Sequence, residues 1–223
     1  MKKAIIVAGN YGSGKTELSL NMSLWLAKEG RTVLVDMDIV NPYFRSAEHG
    51  DLLSEHGVDL IAPTYANSTV DVPVISADVK RAFEYDYAIF DAGGDPVGAA
   101  VLGSISEFFN KDNTEFYYVV NARRPLQRSS AEILTMMQQI SMRARVPLTG
   151  LINNTNLARE TTVKDLAFGR DVCLELSEKS GLPVAFSSGE ENVLADYKKQ
   201  FPDDKTFEIS IYTRPYWLDI TAE

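Results

Sequence analysis

The sequence is poor in cysteine and histidine, with one cysteine, Cys173, and two histidines among 223 residues. A single cysteine cannot form a disulfide within the chain, a Cys-x-x-Cys redox pair, or a metal site that needs several thiolates. We predict that Cys173 is a small buried residue on a helix. His49 and His56 lie in a polar stretch without metal-ligand spacing, so both are predicted to be surface residues.

Basic residues are outnumbered, since 22 Lys and Arg stand against 31 Asp and Glu and the formal net charge is −9. A surface of this sign repels a phosphate backbone, which makes nucleic acid a poor partner. No apolar run approaches the roughly 18 residues of a membrane span, and the apolar stretch Ala4–Ala8 is too short for a signal sequence. We therefore expect a cytoplasmic protein without membrane contact.

Strand-like and helix-like segments alternate along the chain. The short apolar runs predicted as strands are Ala4–Ala8, Thr32–Asp36, Tyr87–Asp91, Phe116–Val120, Leu148–Ile152 and Val184–Phe186. The apolar stripes predicted on helices are Leu18, Met22, Trp25 and Leu26; Ile133, Met137, Ile140 and Ala144; and Val163, Leu166, Cys173 and Leu174. Thr162 with Asp165 predicts where the last helix begins, and Gly181 where it ends. The alternation predicts a single α/β domain over residues 1–223, with three layers and a mostly parallel twisted sheet.

A glycine-rich loop follows the first predicted strand. It fits the pattern G-x-x-x-x-G-K-[ST] and consists of Gly9, Asn10, Tyr11, Gly12, Ser13, Gly14, Lys15 and Thr16. Its glycines let backbone N–H groups turn around an anion, and the next helix adds its positive end. Lys15 can reach the β- and γ-phosphates, and the Thr16 hydroxyl can bind Mg²⁺. A dinucleotide fingerprint would need a small residue where Glu17 stands, so we predict a phosphate loop.

Aspartates follow two of the other predicted strands. Asp36 and Asp38 end the second strand, and Asp91 ends the third, just before Gly93 and Gly94. In a parallel sheet these ends meet at the edge that carries the phosphate loop. Carboxylates suit Mg²⁺, directly or through water. We predict that Asp91 holds the metal or its water, and that one of Asp36 and Asp38 contacts the metal shell while the other orients the attacking water.

These motifs resemble the MinD/ParA/nitrogenase-iron-protein group of P-loop NTPases over residues 3–200. The resemblance implies a homodimer that closes around two ATP molecules and switches its affinity for a protein partner. It implies that Asp36 lies near the metal, that Asp38 positions the water, and that Asp91 is the Walker B residue. It further implies that Asn153, after a later strand, contacts the adenine edge, although Asn is also a common turn residue.

One position departs from that group. Its loop usually carries a signature lysine directly after the first glycine, where this chain has Asn10. The lysine normally stabilises phosphate charge in the other subunit. Arg45, Arg123 or Arg124 could supply such a charge instead, as an arginine finger does.

The leading hypothesis is a Mg-ATP hydrolase that acts as a switch or energy coupler for a protein partner. One alternative is a small-molecule kinase or a carboxylate-activating ligase of the dethiobiotin and cobyrinic-acid synthetase kind, whose substrate pocket Asn41–Arg45 and Tyr65–Asp78 could build. Another is a module that binds nucleotide without hydrolysing it. Adenine is expected rather than guanine, because the Asn-Lys-x-Asp motif is missing and the sequence at 110–113 breaks its spacing.

Overall fold

Eight strands in the described part of the chain lie in one parallel sheet, as a computed structural model shows. The structure describes residues 3–38, 49–62, 77–124 and 129–213. The strands are β1 (Ala4–Gly9), β2 (Thr32–Met37), β3 (Val58–Ile61), β4 (Tyr87–Ala92), β5 (Thr114–Val120), β6 (Gly150–Asn153), β7 (Val184–Gly189) and β8 (Thr206–Glu208). Their order is β3-β2-β4-β1-β5-β6-β7-β8. The six predicted strands are confirmed, whereas β3 and β8, short strands at the two sheet edges, were not predicted.

Helices connect the strands. They are α1 (Lys15–Leu26), α2 (Gly50–Glu55), α3 (Ala77–Arg81), α4 (Pro96–Gly103), α5 (Ser130–Ala144), α6 (Val163–Ser180) and α7 (Glu191–Gln200), with 3₁₀ turns at Ala82–Glu84 and Ser106–Phe108. The predicted ends of α6 are confirmed: the Asp165 carboxylate accepts hydrogen bonds from the Thr162 N–H (2.9 Å) and hydroxyl (2.6 Å), and Gly181 caps the helix in the left-handed conformation.

Two apolar cores cover the two faces of the sheet. Successive residues of β1 alternate between them: Ile5 and Val7 pack on one face with α1, while Ile6 packs on the other with α4 and α5. This alternation is what a strand buried on both faces requires. The three-layer α/β architecture is therefore confirmed.

The predicted helix stripes are confirmed with two exceptions. The α5 stripe is buried throughout, and Cys173 of α6 is buried, which raises the pKa of its thiol to about 12. Trp25 and Leu174 were predicted to face inward, and that was wrong, because they are 44% and 40% exposed. Both lie at the margin of their stripe, where a side chain lies on the surface rather than in the core. Leu176 takes the inward place on α6.

The register of the sheet brings the predicted aspartates to one edge. Asp36 of β2 and Asp91 of β4 are direct partners on neighbouring strands, and Val7, two residues before the end of β1, pairs with Asp91 on its other side. The loop after β1 therefore begins beside Asp91, with Asp36 one strand further away. In the described ranges, no helix has the length and apolarity that crossing a membrane would need.

Candidate nucleotide-binding site

The loop between β1 and α1 has the backbone that the motif predicts. Gly12 (φ 72°) and Gly14 (φ 86°) adopt the left-handed conformation, which glycine enters without the strain of a side chain. Gly14 precedes the first residue of α1, Lys15. The first N–H groups of a helix have no partner inside it, so this end of α1 favours an anion. The loop and the helix together form a cradle for phosphate.

The loop after β4 packs directly on this cradle. A Cβ atom on Gly94 would lie 3.0 Å from Lys15 Nζ and 3.2 Å from the Tyr11 backbone nitrogen. A Cβ atom on Gly98 would lie only 2.6 Å from the Gly93 Cα atom. Gly94 therefore lies against the phosphate loop, and Gly93 packs against Gly98 of α4.

Lys15 lies at the centre of the site, with 7% of its surface exposed, and its Nζ donates to the Asn10 carbonyl (3.4 Å). Burial lowers the pKa of its ammonium, while the charges of Asp91, Asp38 and Asp95 act in the opposite direction. A buried cation is unfavourable unless anions lie close to it. The nearby carboxylates therefore stabilise the Lys15 ammonium, which also lines the cavity where a phosphate could bind.

The three predicted aspartates take different positions. Asp36 and Asp91 are 5% and 1% exposed; Asp36 accepts from the Asp38 N–H (3.1 Å), and Asp91 accepts from the Ser19 hydroxyl (3.4 Å). Asp38 instead lines the open cavity beside Lys15 and Thr16. Asp36 and Asp91 are therefore buried beneath the wall of the cavity, whereas Asp38 lines the cavity itself.

The described side chains do not by themselves form a complete metal site. Among the residues described, no three His, Cys, Asp or Glu side chains group closely enough to hold an ion. The donors at hand are the Thr16 hydroxyl and the carboxylate oxygens, which suit a hard cation such as Mg²⁺. They fit an ion that shares its shell with phosphate oxygens and water.

Two cavities meet at the loop. The phosphate-side cavity, of about 340 Å³, is lined by Tyr11, Gly12, Gly14, Lys15, Thr16, Glu17, Asp38, Arg124 and Thr213. The base-side cavity, of about 360 Å³, is lined by Gly12, Gly14, Glu17, Arg124, Asn154, Asn156, Ala158, Thr161, Gly189, Glu190, Val193, Ile209, Ile211 and Thr213. They share five residues, so a single extended ligand can occupy both. Each volume lies in the range of about 300–1,000 Å³ that small-molecule sites use.

Asn153 does not line either cavity, contrary to the expectation for the adenine edge. Its side chain is fully buried, donating to the Leu166 carbonyl (2.9 Å) and the Ser187 hydroxyl (3.0 Å) and accepting from the Thr155 N–H (3.2 Å). These bonds use the amide inside the protein. Asn154 and Asn156, one and three residues further along the chain, line the base-side cavity instead.

Asn10 and Ser13 of the loop are directed into the protein by their surroundings. Asn10 is 8% exposed, and its side chain accepts from the Tyr11 N–H (2.7 Å), so it shapes the loop. The Ser13 hydroxyl is buried, and among the described residues it has no hydrogen-bond partner. The Ser13 carbonyl accepts from the Asn154 amide (2.8 Å), which ties the phosphate loop to the end of β6.

The candidate arginines take separate places. Arg123 forms an ion pair with Asp165 (2.8 Å) and lies over the Phe168 ring (4.6 Å). Arg124 donates from Nε to the Gly12 carbonyl (3.0 Å) and lines both cavities. Arg45 lies outside the described residues, as do all of Asn41–Arg45 and most of Tyr65–Asp78.

Sequence reasoning missed the contribution of residues 209–213, which we call the strap. The Glu17 carboxylate accepts hydrogen bonds from the N–H groups of Tyr212 (2.7 Å) and Thr213 (3.0 Å) and from the Thr213 hydroxyl (2.8 Å). Ile209, Ile211 and Thr213 form part of the base-side wall. These partners are 195 and 196 residues apart in sequence, so no local pattern signals the contact.

Comparisons with known proteins identify the fold. No family model and no curated protein sequence matches this chain. Among solved structures, FtsY of Thermotoga maritima is similar at 20% identity (TM-score 0.57, 86% of this chain and 63% of that one). FtsY of Mycoplasma mycoides is similar at 19% (0.56, 84% and 60%), and the signal recognition particle 54 kDa protein of Aeropyrum pernix K1, solved with GDP, at 14% (0.54, 83% and 41%).

At such identities the likeness establishes the fold. The sheet and the loop together define an α/β P-loop NTPase fold. The chain spans less than two thirds of the length of these structures.

Proposed function

We propose that this protein binds a Mg-nucleoside triphosphate, hydrolyses it, and thereby switches its affinity for a protein partner. The observation that carries the proposal is the phosphate-side cavity, where Lys15, Thr16 and Asp38 meet a loop with two left-handed glycines. An anion cradle, a buried ammonium and a carboxylate that reaches into the cavity are the parts that phosphoryl transfer to water needs.

Each residue has a proposed task. Lys15 and the loop N–H groups hold the β- and γ-phosphates, and Thr16 supplies a hydroxyl ligand for Mg²⁺. When bound, Mg²⁺ neutralises charge that develops on the phosphate oxygens. Asp36 and Asp91, below the cavity, hold the water shell of the ion. Asp38 lines the cavity, where it can accept a hydrogen bond from the attacking water and orient it.

The proposed base is adenine, with ATP as the nucleotide. Support comes from the lack of the Asn-Lys-x-Asp motif in the sequence. Asn156 takes the place proposed for Asn153, because it lines the base-side cavity. Glu190 lines the same cavity, and a carboxylate there can accept from both N–H groups of a guanine edge. GTP is therefore the competing ligand in any test of this assignment.

Arg124 is the proposed source of the charge that a signature lysine would give. Its stem lies against Gly12, where a Cβ atom would meet Nε at 3.4 Å, and it lines both cavities. Its guanidinium keeps further N–H donors after the bond to Gly12. A cation supplied within the chain makes hydrolysis possible in a monomer, and the homodimer of MinD/ParA-like proteins stays a separate proposal. Light scattering with and without Mg-ATP tests that dimer.

The test of hydrolysis compares ATP and GTP turnover of the wild type with that of Asp38→Asn. We expect ATP turnover to fall about 100-fold in the variant, on the scale of losing one positioned catalytic group, with ATP affinity retained. Asp112→Asn is the matched control, since Asp112 is exposed and lies before the amino-terminal end of β5, whereas the site lies at the carboxyl ends of the strands. Equal turnover of Asp38→Asn and the wild type would refute the assignment.

Two other outcomes of that assay favour the alternatives. Phosphate release that depends on an added small metabolite would support a small-molecule kinase or a carboxylate-activating ligase. ATP binding without turnover under any of these conditions would support a module that only binds nucleotide.

A further inference from the structure

The strap bridges two parts of the site that are far apart in the chain. At one end, the Ile209 N–H donates to the carbonyl of Gly189, the last residue of β7 (3.0 Å). At the other end, Tyr212 and Thr213 bind Glu17 on α1, one residue after Thr16. The strap therefore runs from the base side of the site to the first turn of the helix that carries the phosphate loop.

Two side chains of α1 hold the strap. The Asn21 amide donates to the Ser210 carbonyl (2.9 Å) and accepts from the Ser210 N–H (2.8 Å). The Glu17 carboxylate accepts three hydrogen bonds, and bonds to a charged acceptor are stronger than those between neutral groups. Glu17 and Asn21 are 9% and 8% exposed. Burial without these partners would be unfavourable for either side chain, so α1 and the strap stabilise each other.

The position of Glu17 is chemically unusual for a phosphate site. Its side chain lines the phosphate-side cavity as well as the base-side cavity. A carboxylate there repels a phosphate, so Glu17 does not serve phosphate binding by itself. Glu17 instead binds the strap. Ile211 of the strap is half-buried and lines the base-side cavity together with Val193 and Ile209. Apolar side chains of this kind suit a flat ring rather than a phosphate.

We propose that the strap is the wall that recognises the nucleoside, and that Glu17 and Asn21 are positioning residues that act through it. The inference rests on the proposed function, since it concerns the same site. The strap contributes to the affinity for the base and sugar through Ile209 and Ile211. Thr213 also lines the phosphate-side cavity, but its hydroxyl is bonded to Glu17, so we expect it to add nothing to the affinity for the triphosphate. The coupling is reciprocal: the free energy by which the ordered strap favours nucleoside binding equals the free energy by which a bound nucleoside stabilises the strap.

The test uses two probes, Mg-ATP and Mg-tripolyphosphate, because the second has phosphates but no nucleoside. Calorimetric titration compares the wild type with Glu17→Ala, Asn21→Ala and Ile211→Ala. Glu29→Ala is the control. Glu29 is an exposed carboxylate just beyond α1, so its substitution removes the same charge as Glu17→Ala without touching the strap. We expect each of these three variants to bind ATP about 10-fold more weakly, because Glu17→Ala and Asn21→Ala remove hydrogen bonds that hold the strap and Ile211→Ala removes an apolar contact with the nucleoside.

Binding of tripolyphosphate distinguishes the contribution of the strap from that of the phosphate loop. Asn21→Ala and Ile211→Ala are expected to bind it as the wild type does, and Glu17→Ala as well or more tightly, because a negative charge has left the cavity. Retained tripolyphosphate binding also shows that the loop is folded in each variant. Equal losses for both probes, or no loss of ATP affinity, would overturn the proposal.

Hydrogen exchange adds the reciprocal measurement. The N–H groups of Tyr212 and Thr213 are expected to exchange more slowly in the wild type with Mg-ATP, and to show no such change with tripolyphosphate. The same slowing with both probes would overturn the inference. A wild type that binds neither probe would instead refute the proposed function, which keeps the two failures distinct.

Discussion

The two sides of the site are built in opposite ways. The phosphate side is a continuous piece of chain from Gly9 to Thr16, completed by carboxylates at the ends of two neighbouring strands. Apart from the residues that it shares with the phosphate side, the base side is assembled from segments 154–161 and 189–193 and from the strap. The first depends on backbone conformation and one buried ammonium. The second depends on hydrogen bonds between distant segments, so the two sides should respond differently to substitution.

The largest effect is expected at Lys15. Lys15→Ala should weaken ATP and tripolyphosphate alike by about 100-fold, because the lost ammonium makes charge-assisted bonds to phosphate. Titration calorimetry with both probes measures it. Lys28→Ala, an exposed lysine after α1, is the control. A variant that loses ATP but keeps tripolyphosphate would break the division of the site into two sides.

The next effect concerns stability rather than affinity. Asn153→Ala should lower the free energy of unfolding by about 1–3 kcal/mol, because it removes the acceptor of the buried Thr155 N–H. Denaturant unfolding measures the change. The ratio of ATP to GTP affinity should stay as in the wild type, since Asn153 lines neither cavity. A changed ratio with unchanged stability would restore its role at the adenine edge.

Arg124 comes third, and it lies where the two sides meet. Arg124→Ala should weaken tripolyphosphate and ATP each by about 10-fold, which corresponds to one charge-assisted hydrogen bond. Turnover per bound ATP should fall further if the guanidinium stabilises the transition state, and single-turnover kinetics separates the two effects. Arg143→Ala, at the end of α5, is the control. Unchanged affinity and turnover in Arg124→Ala would remove this residue from the site.

The smallest effect is expected at Asn156. Asn156→Ala should change the ratio of ATP to GTP affinity by about 3-fold, less than a full hydrogen bond, because the Asn156 amide is partly used by the Asn154 carbonyl (2.7 Å). Competition between the two nucleotides measures the ratio. Tripolyphosphate affinity should not change. A loss of tripolyphosphate affinity would show that Asn156 supports the phosphate loop instead.

What could be predicted from the sequence follows the same division. The pattern of Gly12, Gly14 and Lys15 specifies a local backbone and a charge, and the strand ends place Asp36 and Asp91 through the parallel register. Helix ends such as Thr162 with Asp165 are likewise local signals, and the structure confirms them.

The base side could not be predicted because its contacts are not local. Glu17 reaches Thr213 across 196 residues, and the sequence near either residue carries no sign of the other. Asn153 and Asn156 lie at and just beyond the end of β6, and the sequence does not indicate which polar side chain there lines the base-side cavity. Trp25 and Leu174 illustrate the same difficulty on helices, where the edge of a stripe decides exposure.

The most direct measurement of the central claim is calorimetric titration of the wild-type protein with Mg-ATP and with Mg-tripolyphosphate. If residues 9–16 form an anion cradle with the base side beside it, both probes bind at a single site and ATP binds more tightly. Absence of heat from both titrations, with no protection of the protein against thermal unfolding, would contradict the account.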